Sequence, residues 1–420
     1  MHFPGYYEYF CPVNTIAGHL ALERVPRLLR RLGARHPMIV TDKGVTAAGL
    51  ADIVMGAISP EMRIGAVDDD VPVDSDLKTV HRIADAYRQH GCDAIIAVGG
   101  GSVLDTAKGV NIVVSENAQD LMQFAGAGRL KRRLRPFVAI PTTAGTGSEM
   151  TLVAVIADHE KHRKVPFTSY FLLPDAAILD PRMTLTLPTT ITAATAMDAL
   201  THAVEAYTCL AKNPISDAHA LMAIELIGQN LLNVIDTPDD ANGRLALAVG
   251  ANLAGAAFSN AMVGVVHTLG HAVGAICDVP HGTCMSILLP YGLEYNMHKN
   301  GHLTAQLLLP LAGSRAVAQT PKHRRAEQVV ATIRQLNQRL HQATNGGHAR
   351  FFKEVTGPDG AARVPVEKLE IIAQTALGDG SILYNPEELD HDDLLMIMSH
   401  AWAGTPLDRS RVRRGGLQIQ

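Results

Sequence analysis

Asp198 and His202 stand four residues apart in Met197-Asp198-Ala199-Leu200-Thr201-His202-Ala203-Val204-Glu205. His267 and His271 repeat that interval in Val266-His267-Thr268-Leu269-Gly270-His271. Residues four apart share one face of a helix, so each pair presents its side chains together. His281, in Pro280-His281-Gly282, adds an imidazole in a turn. One carboxylate with three imidazoles is a donor set suited to Fe²⁺ or Zn²⁺. A lone histidine among the 19 of this chain would carry little weight. These lie in uncharged, small-residue stretches, where an unpartnered polar group costs about 1–3 kcal/mol. A metal site in the second half of the chain is the expectation.

The first half carries a different chemistry. Val98-Gly99-Gly100-Gly101-Ser102 follows an apolar run and precedes a helical stretch. Glycines there let backbone N–H groups approach a phosphate at a helix N-terminus, where the dipole favours an anion. Leu104 replaces the third glycine of GxGxxG, so a plain tight turn is an equal reading of this loop. Pro141-Thr142-Thr143-Ala144-Gly145-Thr146-Gly147-Ser148-Glu149 adds clustered hydroxyls, which suit ribose and pyrophosphate oxygens or serve as helix caps. Asp42 follows another apolar run directly. A carboxylate at a strand end can hold adenosine ribose hydroxyls and repel a 2′-phosphate; the alternative is a capping aspartate.

The elements that must position these residues are visible as patterns. Runs at 38–41, 94–98, 137–140 and 152–157 read as strands, spaced by helical stretches such as 77–90. That alternation predicts βαβ units and a mostly parallel sheet. After Pro188, Ala-rich helical stretches dominate (189–211, 214–233 and 244–275) and strand signals nearly vanish. The expected architecture is an α/β dinucleotide-binding domain at 1–185 and an all-α metal-binding and substrate domain at 186–420.

Composition narrows the class. The 420 residues are 47% hydrophobic and 19% charged, which excludes a disordered chain. A net charge of −4 offers no footprint for nucleic acid or an acidic membrane surface. Five cysteines at irregular spacing, with no CxxC pair, indicate neither a disulfide framework nor a thiolate zinc knuckle. No basic n-region precedes an apolar run at the start, so a cytoplasmic enzyme is expected. Residues 245–266 lack charge and match the length of a membrane span. Their Gly, Ala and Asn content fits a tightly packed internal helix better. The basic runs at 131–135 and 409–414 read as solvated loop and tail.

Taken together, the GGGS turn with Asp105, the PTTAGTGSE segment, MDALTHAVEAY and VVHTLGHAVGA…VPHG resemble the iron-containing (group III) alcohol dehydrogenases. The order and spacing hold from about residue 42 to 296. The resemblance implies a dinucleotide-binding domain, a helical metal-binding domain, and hydride transfer between a primary alcohol or aldehyde and NAD(H). It implies Asp198, His202, His267 and His281 as ligands of Fe²⁺, with Zn²⁺ or Mn²⁺ possible, and His271 as a non-ligand near the nicotinamide. Asp42, Gly100, Gly101, Ser102, Asp105, Thr142, Thr143, Thr146 and Lys164 match cofactor positions, and Phe258 a position near the substrate. A homodimer or higher homo-oligomer is also expected, by pairing of an exposed edge strand near the N-terminus. Residues 71–76, VPVDSD, depart from the Asn-Pro pair of many relatives. A zinc polyol dehydrogenase is the nearest alternative. A dehydroquinate-synthase-like cyclase is more distant, since it carries Glu at the first ligand position and more basic residues.

Overall fold

The computed structural model describes residues 4–408 apart from His162, together with Val412. The basic run at 409–414 otherwise lies outside the described residues. Two compact units result: Phe10–Leu187 with Asp239–Ser259, and Met1–Tyr9 with Pro188–Pro238 and Asn260–Gln420.

All nine strands among the described residues belong to the first unit: β1 (Asn14–Ala17), β2 (Pro37–Val40), β3 (Ala66–Asp68), β4 (Ala94–Gly99), β5 (Gly126–Ala127), β6 (Phe137–Pro141), β7 (Val153–Asp158), β8 (Arg163–Thr168) and β9 (Ala176–Leu179). Six of them form one sheet in the order β1-β9-β6-β4-β2-β3, parallel throughout. Every residue of β2, β4, β6 and β9 is buried, which is why these strands read as unbroken apolar runs. The period of two sorts them onto two faces. Met38, Val40, Ile95 and Ala97 enter one core, while Ile39, Ala94, Ile96 and Val98 enter the other. The 152–157 run is a strand outside this sheet. As β7 it pairs antiparallel with β8 in a separate three-stranded sheet, β5-β8-β7, because a short turn that includes 159–161 connects the two.

The helix Ala241–Ser259 clusters with the sheet although it lies within 186–420 in sequence. Two glycines permit this. A Cβ on Gly255 would meet Gly147 O at 2.8 Å, and one on Gly147 would meet the Gly255 Cα at 2.7 Å. Asn252 on the same helix donates to Glu149 Oε1 at 3.2 Å.

The second unit is built from helices. His281–Gln306 packs against Thr189–Thr208, Val265–Cys277 and Arg325–Ala343. The single helix expected over 244–275 is two, Ala241–Ser259 and Val265–Cys277. Met262 with φ 71° and Gly264 with φ −139° and ψ −141° break the helical path between them. No span is formed at 245–266. One helix among the described residues, Pro214–Asp236, is long and apolar enough by composition to cross a membrane. Its Ala220, Ala223, Ile224, Ile227 and Leu231 recur at helical spacing and are buried, on a helix that packs against Thr189–Thr208.

Candidate metal centre and cofactor loops

Asp198, His202, His267 and His281 converge in the helical unit, with one donor atom from each within 4.8 Å of all the others. Asp198 and His202 sit one turn apart inside Thr189–Thr208. His267 is in the first turn of Val265–Cys277, and His281 opens the helix His281–Gln306 after Pro280. Gly282 makes that approach possible. A Cβ there would sit 2.4 Å from Ala194 O, so only glycine lets the two helices come this close.

Two of the donor atoms in this cluster are left without a partner. His267 Nε2 and Asp198 Oδ1 are buried with no hydrogen-bond partner. His281 Nε2 lies 3.3 Å and His202 Nδ1 3.8 Å from Asp198 Oδ1. Burial pushes His202 down to about 3 and His267 well below the usual histidine range. Burial alone would raise Asp198, but the imidazoles of His202 and His281 hold its carboxyl below the usual range. An ionised carboxylate beside neutral imidazoles is the protonation state that a divalent cation requires. The residues present therefore fit a divalent cation such as Fe²⁺, Zn²⁺ or Mn²⁺.

Glu205 completes the centre and was not singled out from the sequence. Its Oε2 accepts from His267 Nδ1 at 2.5 Å, and its Oε1 from the Val266 N–H at 2.8 Å. It thereby caps the Val265–Cys277 helix and leaves the lone pair of His267 on Nε2. Burial raises Glu205 to about 7, opposed by these N–H groups. A signal was present. Asp198, His202 and Glu205 fall at i, i+4 and i+7, the ionisable stripe of a helix whose only other ionisable side chain is Tyr207.

His271 lies outside the quartet. Its ring is 5.8 Å from that of His267 and stacks at 5.4 Å on His281. Its Nδ1 donates to Asp379 Oδ2 at 2.8 Å, a partner 108 residues away with no local signal. The His271 hydrogen bond holds the Asp379 carboxyl below its ordinary value, against the effect of burial.

In the sheet-bearing unit the two hydroxyl- and glycine-bearing loops stand side by side at the carboxyl ends of β4 and β6. Gly100 caps the helix Gly101–Glu116 with no side chain, leaving first-turn N–H groups unclaimed by a cap. A Cβ on Gly101 would lie 3.1 Å from Thr146 Cγ2, and one on Gly100 3.6 Å from Thr143. The Thr142 N–H donates to Gly99 O at 3.1 Å, and Thr146 Oγ1 accepts from the Ser148 N–H at 3.3 Å. Ser102 Oγ donates to Val73 O. Lys164 on β8 pairs with Asp74 at 2.9 Å, within the divergent 71–76 segment, both largely exposed. Asp42 Oδ1 accepts from the Val45 N–H at 2.9 Å, capping the helix Lys43–Ala47. Asp105 turns to protein partners, accepting from Ser148 Oγ at 2.8 Å and the Val155 N–H at 3.0 Å. Phe258 is partly buried at the end of Ala241–Ser259.

Residues 12–181 match the family model described as iron-containing alcohol dehydrogenase, and 192–402 match its C-terminal model. The chain belongs to the iron-containing alcohol dehydrogenase family. It is an oxidoreductase acting on CH–OH groups. It is 31% identical over 400 residues to the NAD-dependent methanol dehydrogenase of Bacillus methanolicus, covering 94% of this chain and 99% of that one. A solved 1,3-propanediol oxidoreductase superimposes with a TM-score of 0.88 at 32% identity, over 94% of this chain and 100% of that one. The NADPH-dependent butanol dehydrogenase of Clostridium saccharobutylicum is 30% identical over 388 residues, covering 90% and 95%. The family thus includes members named for either cofactor, so cofactor choice has to be argued from this chain's own residues.

Proposed function

We propose that this protein is a metal-dependent alcohol dehydrogenase that transfers a hydride between a primary alcohol or aldehyde and NAD(H), with Fe²⁺ as its metal. The observation that carries this is the convergence of Asp198, His202, His267 and the partly exposed His281, one donor atom from each within 4.8 Å of the others, with the buried Asp198 Oδ1 and His267 Nε2 lacking a hydrogen-bond partner. When bound, the metal supplies Lewis acidity toward the alcohol oxygen and NAD⁺ the hydride acceptor. Asp198 and the three imidazoles hold the cation, and Glu205 keeps the His267 Nδ1 proton away from it. His271, oriented by Asp379, takes the alcohol proton at Nε2 and passes it to solvent. The loops at Gly100–Ser102 and Thr142–Thr146 hold the pyrophosphate and ribose, with Lys164 at their rim. Phe258 lines the substrate side. The cyclase alternative is disfavoured by Asp198 at the first ligand position. Turnover tested with alcohols and aldehydes, on protein loaded anaerobically with Fe²⁺, Zn²⁺ or Mn²⁺, decides the proposal; no turnover with any combination overturns it.

The preferred cofactor is NAD(H). Asp42 stands at the end of β2 with one oxygen engaged in the cap, and its charge opposes a 2′-phosphate. Lys43, the nearest cation in sequence, is paired with Asp70 at 2.7 Å. A carboxylate left unneutralised against a phosphate costs at least ~1–2 kcal/mol, a roughly tenfold or larger discrimination. Asp42→Gly is expected to raise kcat/KM for NADP(H) relative to NAD(H) about tenfold while the fold persists, since glycine is tolerated at an N-cap. An unchanged ratio removes Asp42 from cofactor selection.

We assign the protein to the cytoplasm and to a homodimer. β1 is an edge strand of the six-stranded sheet, and an unpaired edge is a template for a second copy. A single-chain mass by light scattering overturns the dimer, and a fractionation signal outside the cytosol overturns the location.

A further inference from the structure

Lys108 lies fully buried in the helix Gly101–Glu116, two turns after the glycine that opens it. Its ammonium spans to the chain that follows the hydroxyl-rich loop. Nζ donates to Val153 O at 2.7 Å, Thr151 Oγ1 at 2.9 Å, Thr151 O at 3.1 Å and Ser148 Oγ at 3.1 Å. One turn earlier on the same helix, Asp105 takes Ser148 Oγ and the Val155 N–H. The two side chains together clamp residues 148–155 to this helix.

A buried ammonium here carries a desolvation cost. The carboxylate of Asp105 forms a long ion pair with Nζ at 3.8 Å. Burial pushes Lys108 down to about 8, with Asp105 and Glu149 opposing. The unfolded chain therefore binds this proton more tightly than the folded one, so the buried ammonium works against folding at neutral pH and less so as pH rises from about 8 toward 10.5. What the contacts do accomplish is geometric. They fix the Ser148–Val155 segment, which begins at the last residue of the Thr142–Ser148 loop, against the helix whose first turn is the glycine loop.

We propose that Lys108 is a positioning residue for the nicotinamide cofactor, holding the two cofactor loops in their binding geometry before the cofactor arrives. Ordering these loops in advance removes an entropic cost that binding would otherwise carry. The inference rests on the NAD reading above, and the test separates the two. NADH is titrated by its fluorescence into metal-free, full-length protein, so the result does not depend on turnover. Lys108→Met is expected to raise the NADH Kd about tenfold or more, and in the metal-loaded enzyme to raise KM for NAD⁺ far more than it lowers kcat. Lys108→Gln, which keeps two N–H donors, is expected to fall between. A Kd within twofold of the unsubstituted protein in both variants overturns the inference. So does a joint collapse of Kd, kcat and melting temperature in both, which would assign Lys108 to the core alone. Failure of the unsubstituted protein to bind NADH overturns the cofactor reading itself, and this inference with it.

Discussion

His267→Ala and His281→Ala are each expected to abolish bound metal and to lower kcat by a thousandfold or more. A factor of ~10³ corresponds to about 4 kcal/mol of transition-state stabilisation, within what loss of a Lewis acid removes. NAD binding should stay within about twofold, because the ligands are held by helices of one compact unit and the cofactor loops by the other. Removing His267 deletes the buried Nε2 that has no protein partner, so no internal hydrogen bond of that atom is lost. Glu205→Gln supplies the graded control. It perturbs His267 through Nδ1 without removing a ligand, and outer-shell partners of this kind typically change metal affinity by roughly 10–100-fold. Metal content by atomic absorption and metal affinity by chelator competition check all three variants. Equal loss of cofactor binding and fold in both alanine variants would make these histidines structural.

His271→Ala should keep its full metal content, lose activity by roughly ten- to a thousandfold, and flatten the acid limb of the pH–rate profile. With four protein donors proposed to hold the cation, the substrate oxygen needs a further open position. A fifth imidazole on the cation would close that position. His271 is instead committed through Nδ1 to Asp379, which fixes its tautomer and leaves Nε2 to accept a proton. A general base in the proton path leaves its mark on the pH–rate profile, so its removal should show there. Metal content and pH profile measured on one preparation separate the cases. Lost metal makes His271 a ligand, and an unchanged profile with lowered stability makes it a packing residue.

Local physics explains how much of this molecule could be read without its structure. Strands β2, β4 and β6 announced themselves as apolar β-branched runs, because parallel strands covered on both faces need apolar side chains at every position. The helix Leu77–Gln89 was legible from its period, and Asp76 caps it through the Thr79 N–H at 2.8 Å. Spacing of i, i+4 sufficed to suggest that Asp198 and His202 act together, since one helical turn sets that distance wherever the helix lies. The motif order then identified the family.

Tertiary structure decided the rest, wherever the partner is remote in sequence. That 152–157 belongs to a second sheet depends on which edge β7 meets, and the run itself is the same apolar pattern either way. The break at Met262–Gly264 depends on backbone angles that an uncharged stretch does not advertise. Ala241–Ser259 joins the sheet-bearing unit because Gly147 and Gly255 allow their backbones to touch across 108 positions of sequence. Asp379 reaches His271 across an equal gap, and Asp105 and Lys108 turn inward to the 148–155 segment instead of outward. Residue types and short-range periodicity suggested a divalent metal, and the motif order, through the family resemblance, added a dinucleotide. Long-range packing decided which side chains hold the ligands in place, because a hydrogen bond between distant residues leaves no periodic trace in either one's neighbourhood.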